Sequence, residues 1–148
     1  MPGFTWEVRV YYEDTDAGGI VFYANYLKFF ERARTEWLRA AGIGQQALVE
    51  QEGCIFVVRS TALDYFRPAR LDDVLQLSVV VEKLGRASVD FFQEARRPGQ
   101  DEVLCAGRIR VACVAAGSLR PSAIPNRVLD KLAALTSPDA PGKLSLHA

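Results

Sequence analysis

The chain has 148 residues, of which 49% are hydrophobic and 24% charged, and its 18 basic and 18 acidic side chains give a formal net charge of zero. These values argue against a disordered chain and against a nucleic-acid binder that relies on a bulk positive field. The length predicts one domain with a substantial core, which we place at residues 1–135. We expect the remaining residues, 136–148, to form a mobile tail.

The cysteines and the apolar runs predict a cytoplasmic protein without a membrane span. Cys54, Cys105 and Cys113 are widely separated and lie in apolar runs, which favours reduced, buried thiols over a disulfide framework. No apolar run reaches the ~18 residues that a membrane span needs. The N-terminal sequence also lacks the layout of a signal peptide.

The single histidine, His147, lies next to the C-terminus in a segment that contains proline and glycine. Ser-His-Asp and Cys-His catalysis, zinc sites with histidine ligands and histidine-based dehydration all need a rigidly held imidazole. If the chain is an enzyme, we therefore expect its base to be a carboxylate.

In chain order, the N-terminal part predicts a strand, an acidic turn and a long helix. Residues 4–12 alternate with period two, which is typical of a half-buried strand. The segment 14–19 then breaks the pattern, and its two glycines let a ligand approach the main chain closely. Asn25 is predicted to cap a helix whose apolar stripe runs from Tyr26 to Ala41, with Gly42 as its C′ residue. A helix of this length spans roughly 25 Å, enough to lie across a sheet.

The rest of the chain predicts a sheet. A polar segment with a short helical turn comes first, and four strand patterns follow at residues 54–66, 74–81, 87–95 and 103–115. A hairpin link is expected at 84–86, and a last short helix starts at Pro125. This is an α+β layout with one twisted antiparallel sheet. Because such a sheet exposes an edge and part of a face, we expect a homo-oligomer.

The acidic turn brings two carboxylates, Asp14 and Asp16, close to a helix N-terminus. A carboxylate is ionised at neutral pH, and free amides at the positive end of a helix can stabilise a developing oxyanion. These are the two elements that attack on a carbonyl needs. The alternative interpretation is that both residues only form the turn or cap the helix, a common role for aspartate before glycine.

The segment YEDTDAGGIVFYANYLKFFERARTEWL resembles the hotdog-fold acyl-CoA thioesterases of the 4-hydroxybenzoyl-CoA thioesterase family. It is most similar to the Tol–Pal-associated YbgC branch, and the likeness continues through YFRPA at 65–69, Asp72-Asp73 and VACV at 111–114. The resemblance implies a five-stranded antiparallel sheet wrapped around one long central helix, to which the short C-terminal helix is added. It also implies hydrolysis of acyl-CoA without metal or cofactor, coenzyme A being part of the substrate.

The same resemblance implies dimers with a continuous sheet, often paired into tetramers, with sites at subunit interfaces. We therefore expect a homodimer or homotetramer. An association with the Tol–Pal system or with phospholipid synthesis is implied by the resemblance only.

The family motif assigns roles to particular residues of this chain. It makes Asp16 the catalytic carboxylate, acting as nucleophile or general base, and Tyr23 the donor of a backbone N–H to the thioester oxygen. The YbgC branch usually has histidine at the position of Tyr23, whereas the hydroxybenzoyl branch has tyrosine. The candidate substrate-binding residues are Gly19, Ile20, Val21 and Phe22 beside the turn, and Arg86, Ser88 and Arg120 for coenzyme A. The two arginines match family positions near the nucleotide, although an ordinary surface role explains them equally well.

Two other functions compete with hydrolysis. The first is a non-catalytic acyl-CoA-binding or scaffold protein on the same fold. The second is a hotdog-fold dehydratase, which is disfavoured because the chain has no interior histidine.

Overall fold

The structure is a computed structural model that describes residues 4–136, in which three α-helices pack with six β-strands. The strands are β1 Thr5–Arg9, β2 Cys54–Tyr65, β3 Val74–Ser78, β4 Val80–Leu84, β5 Ser88–Arg96 and β6 Val103–Ala115. The helices are α1 Asn25–Ala40, α2 Gln45–Glu52 and α3 Asn126–Thr136. Of the tail predicted at 136–148, only Thr136 is described, and it ends α3. His147 lies outside the described residues.

All strand pairs of the sheet are antiparallel, in the order β1-β3-β5-β6-β2, with β4 also paired to β5. The predicted α+β layout and the hairpin at 84–86 are confirmed, since Gly85 N donates to Ser88 O at 2.8 Å between β4 and β5. No helix of the described part of the chain is long and apolar enough to cross a membrane.

The single strand predicted at 74–81 is wrong, and the sheet has six strands rather than five. β3 and the first two residues of β4 follow one register along β5, but the ladder is interrupted at Val79. At the interruption, the Ser78 hydroxyl accepts from Glu94 N at 3.0 Å and so takes the place of a backbone acceptor. Val79 N donates instead to Phe4 O, at 3.4 Å.

Helix α1 lies against the inner face of the sheet and supplies the centre of the core. Its buried hydrophobic residues are Tyr26, Phe29, Phe30, Ala33, Trp37 and Leu38. Trp37 packs edge-on to Phe91 of β5, with the ring centroids 5.6 Å apart. The approach to β6 is close at Gly107, where an added Cβ would lie 2.6 Å from Leu63 Cδ2 and 3.3 Å from Phe30 Cε2.

The prediction was wrong for the N-terminal end of α1 and correct for its C-terminal end. Asn25 is not the N-cap: α1 begins at Asn25 itself, and the capping position, Ala24, makes no side-chain capping bond. The C-terminal prediction is confirmed. Gly42 has φ +81, its N–H donates to Arg39 O, and Ile43 N donates to Leu38 O, as in a Schellman motif.

Candidate active site

The acidic turn forms a small closed loop between β1 and α1. The strand predicted to reach residue 12 ends at Arg9, and Tyr12–Asp14 forms a single turn of 3₁₀-helix. The loop closes where Thr15 bridges Val21 and where Asp16 N donates to Ile20 O at 2.9 Å. This hairpin-like closure places residues 16–20 at the tip of the loop.

Asp14 is buried at the base of the loop, with 5% of its surface exposed. Its Oδ2 accepts from Tyr11 N at 2.9 Å, and its Oδ1 accepts from Asn25 Nδ2 at 2.8 Å. Its carbonyl oxygen accepts from Phe22 N, also at 2.8 Å. These contacts join the loop to the start of α1, so Asp14 has a structural role.

Asp16 is exposed, and its carboxylate is oriented by the loop itself. Oδ1 accepts from Gly18 N at 2.8 Å and from Ile20 N at 3.4 Å. Among the hydrogen bonds of the described residues, none involves Oδ2. One oxygen is therefore held in place while the other is open to a reactant.

The glycines of the loop have different functions. Gly19 has φ +79, in the left-handed region that favours glycine, and an added Cβ would meet no atom within 4 Å. Gly18 has no such φ, but a Cβ there would lie 3.2 Å from Asp16 Oδ1. The first glycine makes room for the carboxylate, and the second permits the turn.

Tyr23 lies between the loop and α1, with 63% of its surface exposed. Within residues 4–136, its backbone N–H and that of Ala24 donate to no protein acceptor, whereas the amides of Phe22 and Asn25 are both paired. Its carbonyl oxygen accepts from Tyr65 Oη at 3.0 Å. Burial, with smaller contributions from Cys105 and Tyr23, raises the pKa of Tyr65, which favours the protonated, donating form.

The segment that follows β2 is hydrogen-bonded to the C-terminal side of the Asp16 loop. Val21 N donates to Ala69 O at 2.8 Å, and Ile20 bridges Arg70. The segment is itself fixed by Asp73, which forms a half-buried ion pair with Arg97 at 2.9 Å. Of the predicted substrate-binding residues here, Val21 has its side chain in the core, while Phe22 is 45% exposed.

The predicted coenzyme A residues gather at a different place. Ser88 lines a groove of about 430 Å³, together with Arg59, Ser60, Ala87, Arg110, Ala112, Cys113 and Pro121. Arg86 and Arg120 each precede a lining residue, and their segments are joined because Ile124 N donates to Arg86 O. Among the described residues, neither guanidinium is in an ion pair.

Arg59 is a groove residue that the sequence analysis did not predict. It occupies a β-bulge of β2, where the register against β6 shifts between Val58 and Ser60. The bulge depends on how the two strands pair, and no local sequence signal marks it.

A single chain does not bring the groove and the Asp16 loop together. Tyr65 contacts Tyr23 at the end of β2, whereas Ser60 lines the groove five residues earlier. At the usual rise of a strand, this separation is about 16 Å along β2. Within the described residues, no group of three His, Cys, Asp or Glu side chains is placed to hold a metal ion.

A model of the Thioesterase-like superfamily matches residues 10–132. The chain belongs to this superfamily. The acyl-CoA thioesterase YbgC of Haemophilus influenzae is 46% identical over 126 residues, which cover 85% of this chain and 91% of that relative. The resemblance to the YbgC branch is thereby confirmed.

Solved structures of other thioesterases share the fold. A probable thioesterase from Bartonella henselae has a TM-score of 0.78 and 31% identity, covering 83% of this chain and 99% of its own. A 1,4-dihydroxy-2-naphthoyl-CoA thioesterase from Synechocystis has a TM-score of 0.82 at 21% identity, covering 91% and 98%. The predicted hotdog fold is confirmed.

Proposed function

We propose that the protein hydrolyses the thioester bond of acyl-CoA to a free acid and coenzyme A, with Asp16 and the Tyr23 amide as the reacting groups. Its place in the Thioesterase-like superfamily and its likeness to acyl-CoA thioesterases support an enzyme of this class. Two observations support the residue assignment: the loop holds one oxygen of the Asp16 carboxylate, and the backbone amide of Tyr23, which precedes α1, is unpaired within residues 4–136. The Thr15–Val21 bridge joins the two segments that carry these groups.

Two routes are compatible with this arrangement. In the first, Asp16 Oδ2 attacks the carbonyl carbon, the thiolate of coenzyme A leaves, and water hydrolyses the resulting mixed anhydride. In the second, Asp16 takes a proton from water, the hydroxide attacks the carbonyl carbon, and the thiolate of coenzyme A leaves and takes up a proton. In both, the Tyr23 N–H stabilises the oxyanion. Removing one such donor typically costs ~10²–10³ in rate.

The groove at Ser88 is the proposed site for the phosphates of coenzyme A. Arginine is suited to phosphate because its guanidinium forms charge-assisted, bidentate hydrogen bonds. Arg86 and Arg120 flank the groove, and Arg59 lines it without an ion pair among the described residues.

A homodimer with two paired β2 strands would join the two halves of the site. β2 is twelve residues long and ends the sheet, so its outer edge is open to a second copy. Antiparallel pairing about the middle of β2 places the Tyr65 end of one strand opposite the Cys54 end of the other. Arg120 lies at that Cys54 end, because Ala115 pairs with Cys54 and its N–H donates to Arg120 O. The Asp16 loop of one copy would then lie near the Arg120 end of the groove of its partner.

The proposal also covers the cellular compartment, the oligomeric state and the partners of the enzyme. Three buried, free thiols, Cys54, Cys105 and Cys113, support a reducing compartment, and we place the protein in the cytoplasm. Pairing of dimers into tetramers and an association with the Tol–Pal system or phospholipid synthesis rest on the resemblance to the YbgC branch.

The deciding experiment is release of free thiol from a panel of short aliphatic, long aliphatic and aromatic acyl-CoAs. We expect wild type to release thiol and Asp16→Asn to lose this activity. Glu13→Gln, which changes an exposed carboxyl of the same turn, is the matched control and should keep the wild-type rate. Full activity of Asp16→Asn would remove Asp16 from the reaction.

The alternative is an acyl-CoA-binding protein without turnover. It is favoured by one feature: the Asp16 carboxylate makes two bonds to its own loop, as a residue with a purely turn-forming role does. This alternative predicts no thiol release from any member of the panel, with binding of acyl-CoA retained in both wild type and Asp16→Asn.

A further inference from the structure

A cavity of about 220 Å³ lies between α1 and the inner face of the sheet. Its apolar walls come from β2, β5, β6 and the helices, and consist of Phe56, Val58, Val89, Phe91, Val111, Leu38 and Leu132. Ligand pockets of drug-sized molecules measure roughly 300–1,000 Å³, so this cavity suits a smaller molecule.

A buried guanidinium lines this cavity, together with the polar side chains of Glu31, Thr35 and Gln45. Arg34 lines the cavity and is only 8% exposed. Its Nη1 donates to Gln93 Oε1 at 2.9 Å, and Gln93 Nε2 in turn donates to Phe30 O at 3.1 Å. Burial lowers the pKa of Arg34 to about 10, so the side chain is still a cation at neutral pH.

Most N–H groups of the Arg34 guanidinium make no hydrogen bond within residues 4–136. Its bond to Gln93 is the only hydrogen bond of the Arg34 side chain among residues 4–136, and none of the ion pairs there involves it. In the same part of the chain, every side-chain nitrogen that is fully buried from solvent has a hydrogen-bond partner. The other N–H groups of Arg34 therefore reach open space, and the space that this side chain lines is the cavity.

We propose that the cavity binds a small carboxylic acid, with its carboxylate on Arg34 and its hydrocarbon body against the apolar walls. A cation buried with only a neutral partner is costly, and a carboxylate is the ligand that matches the guanidinium fork. The Phe91 ring lies 6.0 Å from Arg34 Cζ. The Glu31 carboxylate is the negative charge that acts on Arg34, but among the described residues it forms no ion pair with it. Glu31 also lines the cavity but is exposed, and its Oε2 accepts from Thr35 Oγ1 at 2.6 Å.

Two kinds of molecule could supply the carboxylate that binds Arg34. One is a free acid, the product class of the hydrolysis proposed above, and this source rests on the proposed function. The other is an acyl-CoA whose far end carries a carboxylate. Within one chain, eleven residues at the rise of a helix separate Tyr23 from Arg34 by about 16 Å, so an acyl group would have to enter from the partner copy.

Binding is tested without catalysis, by titrating the protein with hexanoate and with 1-hexanol at pH 7.5 and following the complex by calorimetry. We expect saturable binding, with hexanoate about 10- to 100-fold tighter than hexanol because a hydrogen bond to a charged group is added. Arg34→Met should remove that preference, whereas Arg32→Met, at an exposed position of the same helix, should keep it.

A second variant keeps the test decisive if Arg34→Met does not fold. Val58→Trp fills the cavity from a half-exposed position and should abolish binding of hexanoate. Val57→Trp, on the opposite face of β2, should not. Equal affinity for hexanoate and hexanol, or hexanoate binding that survives Val58→Trp, would overturn the proposal.

The source is identified by thiol release from hexanoyl-CoA and from the mono-CoA thioester of the six-carbon dicarboxylic acid. A preference for the dicarboxylic thioester that Arg34→Met removes assigns the site to the acyl group. Inhibition by hexanoate that Val58→Trp removes assigns it to the free acid. Absence of thiol release with intact hexanoate binding would refute the proposed hydrolysis and leave this site standing.

Discussion

Asn25 Nδ2 donates to Asp14 Oδ1 across 2.8 Å, and this buried hydrogen bond joins the acidic turn to the first residue of α1. Asp16 lies two residues beyond one partner, and Tyr23 lies two residues before the other. The bond therefore sets the relative position of the carboxylate and the backbone amide in the proposed site.

The first prediction concerns this connection. Asp14→Ala should lower the free energy of unfolding by about 1–3 kcal/mol, because the Tyr11 amide and the buried Asn25 amide both lose their acceptor. Urea denaturation followed by circular dichroism measures the change. Thiol release should fall as well, because the loop is no longer held against α1.

A control and a double-mutant cycle separate this bond from a general effect of the turn. Glu13→Ala, at the exposed neighbouring position, should change stability by no more than about 0.5 kcal/mol. Asp14→Ala combined with Asn25→Ala should cost less than the sum of the single changes, since no unpaired partner remains. Strict additivity would show that the two side chains are not coupled.

The second prediction separates the two glycines of the loop. Gly18→Ala places a Cβ 3.2 Å from Asp16 Oδ1 and should displace the carboxylate, so thiol release falls while stability changes little. Gly19→Ala forces a φ of +79 on alanine and should cost roughly 1–2 kcal/mol of stability, with no clash at the carboxylate. If Gly18→Ala keeps full activity and Gly19→Ala full stability, the loop geometry described above is wrong.

Local sequence patterns predicted the buried face of α1 and its C-terminal glycine, because both depend on neighbours within a few residues. Asn25 was misassigned as a cap because its actual partner, Asp14, lies eleven residues away and meets it only in the folded chain. The break at Val79 was also missed. The apolar alternation continues straight across it, and the interruption is visible only in the pairing with β5.

The residues of the candidate site also differ in whether a local sequence pattern could predict them. Asp16 and Tyr23 were predicted from a contiguous motif, which is visible in a single sequence. Arg59 was not, because a bulge is a property of two paired strands. Arg34 stands within the apolar stripe of α1, between Ala33 and Trp37. A cation at that place was the only sign of the buried pair that it forms with Gln93.

The third prediction is a loss of stability at alkaline pH. Burial, followed by the charge of Asp64, raises the pKa of Cys105 from 9.0 to about 12. In the unfolded chain this thiol ionises near its ordinary value, while in the folded protein it stays protonated. Its contribution to stability is therefore complete below pH 9 and is lost as the pH rises towards 12.

This dependence is measured from urea midpoints at pH 7, 9 and 10. Wild type should become less stable above pH 9, and Cys105→Val, which removes the thiol and keeps an apolar side chain, should show a shallower loss. The loss is not abolished, because burial also raises the pKa of Cys113 to about 12. Identical slopes for wild type and variant would exclude Cys105 as a source.

The last prediction distinguishes the backbone of Tyr23 from its ring. Tyr23→Phe and Tyr23→His should keep thiol release, because each retains the N–H that faces no protein acceptor within residues 4–136. Tyr23→Pro removes that N–H and should reduce the rate by ~10²–10³. Proline is tolerated at the start of a helix, and urea denaturation checks that the variant is folded. A folded Tyr23→Pro protein with the wild-type rate would show that the oxyanion is stabilised elsewhere.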